Sequence, residues 1–442
     1  MKLDISYKEI WMVAYPIILG SVAQNILNIT DTAFLGRVGE IALGGGVLGG
    51  LLYQVLLMLG WGMALGGQII IARRVGEGTN DAVGRVVEHL LFTLGVLAML
   101  VVVFAGLVNT TFFSMAVKSS AVSDAAQSFF GIRLFGLPFA FITYSFNAFL
   151  IGITRTRVLT LTSFITVLIN IVLDYGLIFG NFGLPEMGIR GAALASVIAE
   201  VLGALFLLLY IGNMNVSKYK LFHFEKFSKK LLVSLLSISW PLMLQFFFSI
   251  FVWFVFFLII EKMGEIPLAV SNIVRSIYII LMIPIWGFAS ATNTFVSQYI
   301  GKGMSGMVVM LVIKIIRITM VAVLVLSVLM LIFSDDVVRV YTNDERIVNA
   351  TLPVIRVIVA AAITMASAYI SFNGVSGTGS TKVSFAVEAF TLTIYLGWAY
   401  FAALVLGKSL SWVWTSEILY GVLVTAISLI YLKTGRWKNR VV

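Results

Sequence analysis

The chain contains no cysteine. Disulfides, thiol nucleophiles, iron–sulfur clusters and thiolate metal sites are therefore excluded. Histidine is almost as scarce: His89 and His223 are the only two, far apart, and neither belongs to an H-E-x-x-H zinc motif. Charge is the third shortage. Only 11% of the 442 residues are charged and 60% are hydrophobic, with a mean hydropathy of +1.05; a soluble domain would be about a quarter charged. Gly407-Lys408-Ser409 looks like the end of a phosphate-binding loop, but the earlier glycine such a loop requires is Ala402. Neither an ATP-driven motor nor the acid/base constellation of a membrane-bound acyl or glycosyl transferase is written in this chain. The reading is of a protein that is not an enzyme and carries no cofactor.

What is abundant is uninterrupted apolar sequence, as in Val321–Phe333 and Leu392–Leu406. A transmembrane helix needs roughly 20 mostly apolar residues to cross ~30 Å of hydrocarbon. Spans are predicted near 10–36, 41–72, 86–108, 124–153, 158–180, 189–211, 232–261, 267–299, 307–333, 346–374, 383–406 and 411–432. Backbone inside lipid must satisfy its own hydrogen bonds, so these spans are helices. The short alternating segments of a membrane barrel are absent. Met1–Glu9 carries charges of both signs and the run from Ile10 is too long for a signal sequence, so it is expected to stay as the first span. The fold class is an all-α membrane protein with 12 transmembrane helices.

The formal charge of +10 sorts by side. One set of loops holds Arg73, Arg74, Arg85, Arg155, Arg157, Lys302, Lys382 and the cluster Lys218, Lys220, Lys226, Lys229, Lys230. Lys2 and Lys8 at one end and Lys433, Arg436, Lys438 and Arg440 at the other join that set. The alternate loops have only scattered positives: Arg37, Lys118, Lys262, Arg339, Arg346 and Lys408. The positive-inside rule puts both termini in the cytoplasm of a multi-pass inner-membrane protein. The basic excess thus speaks for a lipid bilayer as partner and not for nucleic acid.

The sequence also repeats itself. Shifted by 225, Pro16 falls on Pro241, Gly39-Glu40-Ile41 on Gly264-Glu265-Ile266, and Tyr53 on Tyr278. Trp61-Gly62 falls on Trp286-Gly287, Gly76 and Gly78 on Gly301 and Gly303, and Gly152 on Gly377. A six-helix unit has been duplicated. Because six is even, the copies enter from the same side and relate by a pseudo-two-fold along the membrane normal. The division reads as an N-lobe over 1–211, a linker over 212–231 and a C-lobe over 232–442. The basic, aromatic-spotted linker reads either as a strap on the membrane surface or as a solvated loop.

Ionisable groups at mid-membrane cost at least ~2.5–3.5 kcal/mol on insertion scales, so each needs a reason. Asp31 lies in the first span, where Gln24, Asn28 and Asp31 recur at helical spacing. Pro16 removes a backbone hydrogen bond earlier in that span and marks a bend. Asp174 is in the fifth span one turn after Asn170, and Glu200 is in the sixth one turn after Ser196. A carboxyl there is destabilised when charged, so it can load and release a proton. Asp31, Asn170, Asp174 and Ser196 also supply the oxygens a hard cation such as Na⁺ wants. In the second copy Asp31 is answered by Phe256, within an aromatic stripe, and Asp174 by Ala399. Arg133, Arg275, Arg317, Arg356, Glu388 and Glu417 suit snorkelling or structural pairing. Arg275 is a candidate partner for Glu388 or Glu417.

These residues resemble the multidrug and toxic compound extrusion (MATE) transporters over nearly the whole chain. The resemblance rests on Pro16 with Asp31-Thr32-Ala33-Phe34-Leu35-Gly36-Arg37-Val38-Gly39, on Asn147 with Gly152, on Asn170 with Asp174, and on the second copy from Pro241 to Gly303. It implies export of organic, mainly cationic, small molecules in exchange for H⁺ or, as the second choice, Na⁺. Asp31, Asn170 and Asp174 fall on the family's N-lobe cation site, with Ser196 at a nearby polar position. Gln24, Asn28, Asn147 and Glu200 are the candidate substrate contacts. The stretches Gln245–Phe254 and Ala362–Asn373 hold no acid, which resembles the DinF-like branch and not NorM. A lipid or lipid-linked oligosaccharide flippase of the same superfamily is the alternative. The expectation is a monomer in which a coupling lobe stands beside a mostly apolar one.

Overall fold

A computed structural model describes residues 5–223 and 226–438. Lys2 and Arg440, counted above in the basic flanks, lie outside the described residues. Among the described residues the regular elements are all helical. Twelve are long and apolar enough to cross a membrane. The first six are Tyr7–Val38, Glu40–Gly76, Asn80–Ala116, Ser120–Gly152, Arg157–Phe179 and Ile189–Asn213. The second six are Lys229–Glu261, Glu265–Gly301, Ser305–Ile332, Glu345–Gly377, Thr381–Val405 and Leu410–Thr434. The chain is a multi-pass membrane protein. Most limits fall within a few residues of the hydropathy reading. The third span differs, running on to Ala116 because polar Asn109 stays in the helix and donates to the Gln127 carbonyl at 3.1 Å.

The duplication is visible in the backbone. The second, third and fourth spans start at 40, 80 and 120, and their counterparts at 265, 305 and 345, a constant register of 225. Gly39 (φ +138°) and Gly264 (φ +119°) make the tight link after the first and seventh spans, and Gly78 (φ +77°) and Gly303 (φ +74°) the one after the second and eighth. Side chains are strained at positive φ and glycine is not, so these positions stayed in step.

Packing divides the chain into two compact units. One comprises Leu19–Val75 and Thr79–Met243; the other comprises Met1–Ile18, Gly76–Gly78 and Leu244–Val442. We call them the N-lobe and C-lobe units. Their limits depart from the chain-order division at 211 and 232, because the start of the first span packs with the C-lobe unit and the start of the seventh with the N-lobe unit. In both spans the changeover falls two residues after a proline, Pro16 and Pro241.

Most described linker residues are exposed, and a few side chains anchor the segment. It packs on its own lobe: Tyr219 is buried edge-on to Phe149 at 5.5 Å, and Leu221 is buried. Gly84 of the third span lies so close to the Tyr219 and Lys220 carbonyls that any side chain would strike them. Phe227 stacks on His89 at 4.8 Å, and the His89 ring takes the Ser228 backbone N–H at 3.0 Å.

Candidate functional site

The site is built inside the N-lobe unit by three helices that small residues let close together. Gly20 of the first span sits on the fifth, where a Cβ would meet Ser163 Oγ at 3.0 Å. Gly203 of the sixth span sits on Thr166 of the fifth in the same way, with a Cβ-to-Oγ1 distance of 2.7 Å. Ala23 and Leu27 then bury against Val167 and Ile171. Ala23, Leu27 and Asp31 lie four residues apart, so the face that packs on the fifth span carries Asp31 toward it. Gln24 and Asn28 lie one residue round the helix and are exposed on this unit, so they do not share Asp31's setting. Asn147 is half-buried.

Asn170 and Asp174 are fully buried, and Asp31 and Ser196 are half-buried. The Asn170 amide, oriented so that both its ends are satisfied, bridges all of them. Its NH2 donates to Asp174 Oδ2 at 2.9 Å and to Asp31 Oδ1 at 3.1 Å. Its carbonyl accepts from the Ser196 hydroxyl and backbone N–H, each at 3.2 Å. Asp174 Oδ1 is buried without a donor. The two carboxyls are thus held on one amide nitrogen. Two buried acids sharing one donor are costly to ionise together, which is the chemistry of a group that can take up a proton or another cation. The structure thus brings Asp31, Asn170, Asp174 and Ser196 into one cluster.

Glu200 is differently engaged. It accepts from Arg133 Nη2 at 2.8 Å and from the Tyr53 hydroxyl at 3.1 Å, while the guanidinium lies 4.1 Å from the Tyr53 ring centre. Arg133 is also within electrostatic reach of Asp31 and Asp174. Sequence reasoning did not find Tyr53, which is 147 residues from its partner. The matching tyrosine at 278 was the available signal.

The C-lobe unit corrects one expectation. Arg275 pairs with neither Glu388 nor Glu417, because it is exposed, with its guanidinium 5.3 Å from the Phe257 ring centre. Both acids are buried and are met by hydroxyls. Glu388 accepts from Ser249 at 2.9 Å and Tyr420 at 2.8 Å. Glu417 accepts from Tyr278 and Tyr395, both at 2.9 Å. The second lobe is therefore not simply apolar. Among the described residues no cluster of three or more His, Asp or Glu offers a metal site.

Comparison with known proteins agrees with this architecture. A probable multidrug resistance protein NorM of Thermotoga maritima is 24% identical over 98% of this chain and 94% of its own. A MOP superfamily transporter from Pyrococcus furiosus, described as having a binding pocket of reverse polarity that suggests a different function, superposes with a TM-score of 0.89 at 18% identity, covering 97% of this chain and 95% of that one. Crystal structures of MATE in the straight and the bent conformation give TM-scores of 0.90 and 0.88 at 19% identity, over 97% of this chain and 95% and 94% of theirs. The MatE family model matches twice, over residues 16–176 and 241–401, once in each copy of the repeat. The chain belongs to the MatE family, the multidrug and toxic compound extrusion transporters.

Proposed function

We propose that this chain is a cation-coupled multidrug efflux antiporter of the inner membrane, with both termini cytoplasmic. In this reading it works as a monomer by alternating access and exports organic, mainly cationic, compounds in exchange for protons. The observation that carries the reading is the Asp31–Asp174 pair bridged by Asn170, with one buried Asp174 oxygen lacking a donor. A proton suits the pair better than Na⁺. The Asn170 NH2 points donors at the carboxyls, whereas Na⁺ needs oxygen lone pairs there. Sodium held by Asp31, Asn170, Asp174 and Ser196 would require the amide to turn and set its NH2 against the Ser196 backbone N–H.

Protonation from outside neutralises the pair and alters the bonds that Asn170 makes to the first span. That span is interrupted by Pro16, where a bend costs no backbone hydrogen bond that proline had not already removed. The straight and bent conformations of solved MATE structures support a cycle with such a step. Coupling requires proton and drug to favour opposite states, because a ligand with equal affinity for both shifts nothing.

The test is efflux of a cationic dye from vesicles under an imposed pH gradient and, separately, an imposed Na⁺ gradient. The pH gradient is expected to drive it, and Asp174→Asn and Asp31→Asn to abolish that response. Full pH-driven efflux by Asp31→Asn would sink the assignment. The second reading is a lipid or lipid-linked oligosaccharide flippase of the same superfamily. It expects no proton flux when the dye is added.

A further inference from the structure

The repeat can be followed into the C-lobe counterpart of the coupling site. The shift of 225 carries Asp31 to Phe256, Asn170 to Tyr395 and Asp174 to Ala399. The sixth and twelfth spans are both 25 residues long, and laid end to end they put Ser196 on Glu417, the eighth residue of each. The contact between Asn170 and Ser196 is thus answered by the hydrogen bond from Tyr395 to Glu417. The second site has not lost its acid. Its carboxyl stands on the last span of the unit, whereas the first copy's pair stands on the first and fifth.

What surrounds Glu417 differs in one respect from what surrounds Glu200. Tyr53 and Tyr278 occupy equivalent positions, and each donates to an acid on the last span of its copy. In the first copy Arg133 neutralises that acid at 2.8 Å. Its counterpart in the register is Ile358, fully buried. The titratable groups around Glu417 are Tyr278 of the eighth span, Tyr369 of the tenth, Tyr395 and Glu388 of the eleventh, and Tyr420 of the twelfth. The span arginines of this unit, Arg275, Arg317 and Arg356, are all exposed. A buried carboxylate with no cation is costly at this depth.

We infer that Glu417 is a proton-binding group of the second lobe, loaded and unloaded through Tyr278 and Tyr395, while Glu388 is held separately by Ser249 and Tyr420. A tyrosine hydroxyl both donates and accepts. Glu417 can therefore pass from an anion accepting two O–H bonds to an acid donating one by rotation of O–H groups alone. No heavy atom needs to move. A proton also needs no further oxygen ligands, whereas the ring that answers Asp31 here, Phe256, packs on Tyr395 and Trp414 with centroids 5.2 Å away and offers none.

The test is infrared spectroscopy of the purified protein in lipid nanodiscs, which reads protonation directly. The wild type at neutral pH is expected to show an acid C=O stretch that is lost in Glu417→Gln and displaced in Tyr395→Phe and Tyr278→Phe. If the wild type minus Glu417→Gln difference contains only carboxylate stretches at every pH where the protein stays folded, the inference is overturned. Should Glu417→Gln not fold, the tyrosine variants keep the carboxyl, and an acid band displaced in neither would overturn it equally. The readout does not pass through Asp31 or Asp174, so failure of pH-driven efflux would refute the proposed function and leave this result standing.

Discussion

Replacing Glu200 by leucine strands the Arg133 guanidinium. The pair is 2.8 Å apart, with side chains 12% and 19% exposed, and Arg133 Nη1 is already buried without an acceptor. Breaking one side of a buried ion pair costs about 3–5 kcal/mol, whereas replacing both partners by apolar residues is often close to neutral. Arg133→Leu combined with Glu200→Leu is therefore expected to recover much of the loss, with a coupling of about 2–3 kcal/mol across the cycle. Gly136→Ala provides an independent arm. Its Cβ would run into Glu200 Oε2 and push the carboxylate off Arg133; the expected cost is about 1–3 kcal/mol. The assay is the unfolding midpoint of wild type, both single variants and the double variant in one detergent at one scan rate, because such unfolding is commonly irreversible. Two results would refute the reasoning. One is a double variant no better than Glu200→Leu. The other is Glu200→Leu with wild-type stability and lost dye efflux, which would return Glu200 to the substrate site.

Asn170→Ala should destabilise by roughly 1–3 kcal/mol for each group it leaves unpaired and stop pH-driven efflux. Ser196→Ala should retain most of both, because the Ser196 backbone N–H still holds the amide; midpoints and dye efflux read the difference. Pro241→Ala restores a backbone hydrogen bond in the seventh span and should slow efflux without moving its pH profile, as measured by initial rates in vesicles. Asp344 caps the tenth span, accepting from the Arg346 N–H at 2.9 Å. The Arg346 side chain and backbone hold its carboxyl below the usual carboxylate range. Its contribution is thus present at neutral pH and lost as pH falls through that lowered value, so Asp344→Ala should lower the neutral midpoint and flatten its acid limb.

The spans and the repeat were legible because they depend on local quantities, namely runs of apolar residues and a fixed register. Asp31, Asn170, Asp174 and Ser196 were legible as candidates because polar residues one turn apart inside such runs need a reason. Their mutual bonding was not, since the Asn170 amide joins three helices. The partners of Glu200 and Glu417 were hidden for the same reason. Arg133 is 67 residues from Glu200, and Tyr278 is 139 from Glu417. Arg275 misled because charge complementarity was visible in the sequence, while the outward face it occupies on the eighth span was not. The anchoring of the linker through Tyr219 and Leu221 was not legible, because its aromatic residues suit a membrane surface as well as a protein one.

Duplication has preserved what the backbone demands and moved what only depth and partners demand. Gly39 and Gly264, or Gly78 and Gly303, cannot drift, because a side chain there would be strained. An acid can change helix if the new position is equally buried and meets new donors. Glu417 stands where the first copy has Ser196, with Tyr395 in place of Asn170. The charge balance then looks less asymmetric than the residue list. The N-lobe cluster holds Asp31, Asp174 and Glu200 against Arg133; the C-lobe cluster holds Glu388 and Glu417 against no base. Each cluster therefore has two more acids than bases, although no acid stands at its counterpart's position. If buried charge in a span must be neutralised, both lobes face the same deficit. The first shares its acids across an amide between three helices, and the second holds them singly on tyrosine hydroxyls. Sharing one amide nitrogen makes proton loss from Asp31 depend on Asp174, so the first lobe should titrate as a coupled pair and the second as two nearly independent sites.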